Sequence, residues 1–175
     1  MATPHSPHNH SDEQRRQPPS AHLHGVAHLT VALEGDSLLI RLESPAADIV
    51  GFEGKANSAA QIEAVLEATQ RLKSSNLFLF SGSDCQLQQV SVDASSLSKQ
   101  DNQHKSDASH TGHGSHSEIS ADYSYACSKG GKLAAISVKL ISRFPSIKTL
   151  EVVWLTERRQ GAIELTEKSG LIRIR

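Results

Sequence analysis

Ten histidines occur in the chain, and every one falls within residues 5–28 or 104–116. Neutral imidazole binds Zn, Cu, Ni and Fe near neutral pH, so histidines gathered in short tracts point to metal coordination. Their flanking residues separate three clusters. His5, His8 and His10 sit among Pro, Ser and Asn without apolar periodicity, and residues 1–20 read as a disordered tail. His22, His24 and His28 belong to A-H-L-H-G-V-A-H. His104, His110, His113 and His116 lie in a Ser, Gly, Asp, Lys and Gln-rich stretch that reads as a flexible insertion at about 94–120.

The second cluster runs into an alternating segment from Leu23 to Glu34. Leu23, Ala27, Leu29, Val31 and Leu33 form an apolar face, whereas His22, His24, His28, Thr30 and Glu34 fall on the other. That pattern predicts a half-buried strand presenting all three histidines to solvent. Two strand rises would put the His22 and His24 Cα atoms about 6.5–7 Å apart, close enough for two imidazoles to converge on one ion. The plainer reading is a strand whose polar face happens to carry histidine.

In the third cluster the spacing is H-x2-H-x2-H from His110 to His116, with Gly112 and Gly114 between and Asp107, Glu118 and Asp122 as nearby oxygen donors. Ordering such a loop around an ion costs about 1–2 kcal/mol of backbone entropy per residue, so its affinity should be modest and suited to capture and release. A solvated linker with incidental histidine is the competing account.

The rest of the composition narrows the function classes. A formal net charge of −1 over 175 residues gives no field that would gather nucleic acid or anionic lipid. No run approaches the roughly 20 apolar residues that span a bilayer. Residues 1–20 lack the apolar core of a secretory signal, which predicts a cytoplasmic protein if the chain begins there. Cys85 and Cys127, the two cysteines, form one disulfide or remain two buried thiols; a bridge would close a loop worth about 4 kcal/mol in the chain-entropy model and imply an oxidising compartment. No H-E-x-x-H, nucleophile elbow or phosphate-cradling glycine loop occurs, so an enzyme is not expected.

The elements that must position these residues are mostly strands. Glu34-Gly35-Asp36-Ser37 reads as the turn of a hairpin into Leu38–Glu43. Ser58 and Gln61 match a capping box, followed by Ile62, Val65, Leu66, Thr69 and Leu72 at helical spacing, which predicts a helix packed on the core. Strands are expected at residues 85–93, 121–127, 132–139, 150–158, 161–166 and 171–175, with Tyr123, Tyr125 and Cys127 on one face. Both cysteines would flank the insertion and let a bridge pin its ends. The architecture expected over residues 21–175 is one mainly β domain, an antiparallel sandwich with one amphipathic helix, or α+β if the helix packs on one sheet face.

The stretch from His22 to Asp36, H-x-H-G-V-A-H-L-T-V-A-L-E-G-D, followed by L-x-S-P-A-x-D-I-V-G-F-E (Leu42 to Glu53), resembles the ZrgA-type zinc-uptake family. A-D-Y-S-Y-A-C (Ala121 to Cys127), R-F-P-S-I (Arg143 to Ile147) and Q-x-A-I-E-L (Gln160 to Leu165) follow in the family's order. The resemblance implies a periplasmic protein that assists zinc acquisition beside an ABC-type transporter, with His22, His24 and His28 as ligands. Copper or nickel binding is the alternative in the same chemistry, since Cu2+ outcompetes Zn2+ at many nitrogen sites. A non-metal interaction domain with histidine-rich linkers is the alternative outside it.

Overall fold

The computed structural model describes residues 24–98 and 117–174. Among these, nine strands form two sheets, the sandwich expected from the alternating segments. The larger sheet has the order β4-β5-β2-β1-β7-β8, comprising Cys85–Asp93, Glu118–Cys127, Ser37–Pro45, Val26–Glu34, Thr149–Thr156 and Gln160–Leu165. The smaller has the order β3-β6-β9, comprising Phe78–Ser81, Ala135–Val138 and Leu171–Arg173.

Alternation decides which side chains form the core. Ala27, Leu29, Val31 and Leu33 of β1 point inward with Leu38, Ile40 and Leu42 of β2, all buried. Burying each such Leu, Ile or Val contributes roughly 1.5–3 kcal/mol, which fixes the register, since a one-residue slip would turn the whole set outward. Ile119, Ala121, Tyr123, Tyr125 and Cys127 of β5 continue this face and meet Phe78, Ile136 and Ile172 of the smaller sheet. Phe78 packs edge-on against Tyr123 with centroids 5.1 Å apart, and Phe80 against Tyr125 at 4.8 Å.

Three features depart from the expectations. β1 pairs with β7 in parallel, Val26 opposite Thr149 through Leu33 opposite Thr156, so the larger sheet is mixed. The helix α2, Ala59–Leu72, has both halves of its Ser58–Gln61 capping box, yet buries Ala68 and Leu72 while Ile62 and Leu66 stay half exposed. It packs through a narrower face than its apolar spacing implies. A short helix, α1 (Ala46–Val50), follows β2 directly, and β3 is an additional strand. The amphipathic stretch at Leu140, Ile141 and Phe144 forms the short helix α3 (Leu140–Arg143), which stops before Pro145 as its sequence suggests.

The disulfide joins Cys85 to Cys127, with Cα atoms 3.9 Å apart. These residues are directly opposed in the β4–β5 register, and the ladder runs on to Asp93 opposite Ser120. Seven strand rises therefore separate the bridge from Ser120, roughly 23 Å. The bridge does not pin the ends of the insertion; it closes the opposite end of the hairpin from which the insertion departs.

Candidate metal centre

At the end of the sandwich where β1 begins, four pieces of chain meet. They are the turn at His24–Gly25, the segment 46–56 that includes α1, the 3-10 turn at Ser95–Leu97, and Ser117 at the head of β5. The Ala46 N–H donates to the Ser117 carbonyl at 2.8 Å, the Gly54 N–H to Ser117 Oγ at 3.2 Å, and the Ala56 N–H to the Leu97 carbonyl at 2.9 Å. Gly25 N–H donates to Asp48 Oδ2 at 2.8 Å. One segment thus holds both the residue that follows His22 and His24 and the two ends of the insertion carrying His104, His110, His113 and His116.

Gly25 turns the chain here. Its φ of +85 lies in the left-handed region that disfavours residues with a Cβ, and an added Cβ would stand 3.3 Å from the Lys148 side chain. Its carbonyl accepts from the N–H groups of Lys148 and Thr149 at 2.8 and 2.9 Å, which begins the parallel pairing with β7. The strand therefore starts at Val26 rather than Leu23, and His24 lies in the turn before it. His22 and Leu23, and with them the spacing expected between His22 and His24, lie outside the described residues.

The two described histidines each meet a glutamate. His24 Nε2 lies 3.6 Å from Glu53 Oε1, within ion-pair range but beyond a hydrogen bond. His28 is on the exposed face of β1 as expected, opposite Glu43 of β2 and Glu151 of β7, with Nδ1 3.3 Å from Glu151 Oε2. Glu43 is engaged by Arg41 Nε at 3.0 Å, and Arg41 also donates to both Asp122 oxygens at 3.0 Å. Asp122, expected as an oxygen donor near the insertion, is instead committed to that guanidinium, which these carboxylates hold above its ordinary pKa.

His5, His8, His10, His22, His104, His110, His113 and His116 lie outside the described residues, as does Asp107. Among the described residues no three His, Cys, Asp or Glu side chains are grouped to hold an ion. What the described part supplies is two imidazole–carboxylate pairs, a mixed nitrogen and oxygen donor set of the kind borderline divalent cations accept.

Asp48 is the residue the sequence reading passed over. It is only 6% exposed, and burial pushes its carboxyl above the ordinary carboxylate range, while the Gly25 N–H and the nearby His24 pull it back. With Ser44 and Ser117 it makes up the buried polar and charged side chains among the described residues. The available signal was a single carboxylate inside the apolar run A-A-D-I-V, where only a polar partner would make burial tolerable.

Comparison with models of known protein families matches residues 21–174 to the one described as ZrgA family zinc uptake protein. No curated protein matches the chain. No helix among the described residues is long and apolar enough to cross a membrane.

Proposed function

Because this chain belongs to the ZrgA family of zinc uptake proteins, we propose that it is a non-catalytic zinc carrier that captures Zn2+ on its clustered histidines outside the cytoplasm. It passes the ion to an ABC-type transporter. The observation that carries this reading is the anchoring of both histidine-bearing stretches to residues 46–56, through Asp48, Ala46, Gly54 and Ala56. Tethering both stretches at one end of the sandwich raises the effective concentration of their imidazoles for one another, which favours capture of a dilute cation. The Cys85–Cys127 disulfide suits an oxidising compartment such as the periplasm.

Calorimetric zinc titration of three full-length forms tests the reading: the intact chain, one with residues 104–116 replaced by Gly and Ser, and one with His22, His24 and His28 changed to Ala. The tight phase should disappear in the triple-alanine form and weaken when the insertion histidines are replaced. It should also be present at pH 7.5 and lost at pH 5, because protonated imidazole does not ligate. Identical isotherms for all three forms, or at both pH values, would sink the histidine assignment. Metal content after growth in limiting zinc separates zinc from copper and nickel.

A further inference from the structure

We propose that Asp48 is a positioning residue for metal capture, acting through the Gly25 backbone to hold His24 beside Glu53. The inference deepens the zinc-carrier reading and rests on it for its functional meaning, but its structural half is testable without metal.

The argument begins with burial. Asp48 is 6% exposed, and a polar side chain taken out of water needs a hydrogen bond to offset the cost. Its position shows what that cost maintains. Asp48 Oδ2 takes the Gly25 N–H at 2.8 Å, while the Gly25 carbonyl is held by Lys148 and Thr149. The peptide groups on both sides of the Gly25 Cα are therefore clamped, one by α1 and the other by the start of β7. His24 is the next residue back along the chain, so the clamp determines where its Cα sits and which way its imidazole leaves the turn.

The same short segment then supplies the imidazole's neighbour. α1 ends at Val50 and the chain reverses at Gly51, where φ is +83, returning Glu53 to within 3.6 Å of His24 Nε2. Asp48 holds the backbone of the turn and Glu53 faces its side chain. Ser117 plays the equivalent part for the insertion: its carbonyl and hydroxyl accept from Ala46 and Gly54 at the two ends of this segment. Residues 46–56 are thus one bracket, and Asp48 is its attachment to the histidine turn.

Two full-chain variants separate positioning from general support. Asp48→Asn keeps an acceptor for the Gly25 amide; Asp48→Ala removes it. In metal-free protein, NMR should show a cross-peak between the His24 ring and the Glu53 side chain, and slow Gly25 amide exchange. Both signatures should be retained in Asp48→Asn and lost in Asp48→Ala. In zinc titrations the His24-dependent phase should weaken about tenfold or more in Asp48→Ala and recover to within about threefold in Asp48→Asn, the scale of supporting-shell substitutions at metal sites.

If Asp48→Ala folds and keeps the His24–Glu53 contact, the positioning role is wrong whatever zinc does. If the contact is lost but zinc affinity is unchanged, Asp48 positions His24 without serving capture, and the proposal is likewise overturned. Should Asp48→Ala fail to fold, Asp48→Asn decides alone: loss of its Gly25 protection or of the His24–Glu53 cross-peak refutes the proposal. The carrier reading has a separate control, since zinc binding equal to that of the intact chain in both the His22, His24 and His28 triple-alanine form and the form with residues 104–116 replaced would refute that reading while the metal-free signatures still stood.

Discussion

The two ends of the β4–β5 hairpin are held together by opposite means. At the far end the Cys85–Cys127 bridge joins directly opposed residues, and Tyr125 on the same strand packs against Phe78 and Phe80. At the near end Ser117 and Asp48 hold chain to chain by hydrogen bonds among buried polar groups. Covalent and apolar contacts tolerate little rearrangement, whereas a hydrogen-bonded bracket can be opened locally at lower cost. The lesson is a division of labour: the far end keeps the sandwich assembled, and the near end sets where the histidine-bearing stretches leave it.

The strongest way to break this contrast is to cut the bridge. Changing Cys85 and Cys127 together to Ser should cost about 4 kcal/mol in urea denaturation by the chain-entropy model, with zinc affinity of the folded fraction unchanged. A large loss of affinity in folded material would show that the two ends are not independent. At the other end, Ser117→Ala should cost about 1 kcal/mol by leaving the part-buried Gly54 N–H without its acceptor. Hydrogen exchange should then quicken at Gly54 and Ala46 and stay slow along β5 near Cys127; uniform acceleration would contradict a local bracket.

The finest test compares two tyrosines on one strand. Tyr123 donates to the Leu72 carbonyl at 2.8 Å, whereas the buried Tyr125 hydroxyl has no partner among the described residues. Tyr123→Phe should therefore cost about 1 kcal/mol and Tyr125→Phe about zero, both read from denaturation midpoints. Burial raises the pKa of both phenols, that of Tyr125 to about 12, so each should stay un-ionised through neutral pH in ultraviolet titration.

Local signals in the sequence were the readable ones. Strict alternation placed β1 and β2 and their inward faces, and Ser58 and Gln61 marked the start of α2, because each depends on residues a few positions apart. The parallel pairing of β1 with β7 was not readable: periodicity says which face is buried but not which distant strand lies alongside. In β7 itself, Leu150, Val152 and Trp154 are buried while Val153 and Leu155 are exposed, so an unbroken apolar run concealed its own alternation.

For the candidate site, the histidine types and their clustering were evident, but the bend at Gly25 was not. Its positive φ comes with a carboxylate more than twenty positions along the chain, and no local pattern reports that contact. The helix showed a related limit. Spacing identified an apolar face of α2, but how much of that face a neighbour covers depends on tertiary packing.

The register of the hairpin also bears on how such a chain can change over generations. Asp93 and Ser120 stand directly across from each other, so whatever sequence joins β4 to β5 starts and finishes at neighbouring points on one rim. Closure entropy of a connection rises only with the logarithm of its length, about 0.6 kcal/mol for each doubling. Lineages could therefore lengthen, shorten or recompose that cassette while the sandwich beneath it remains as it was.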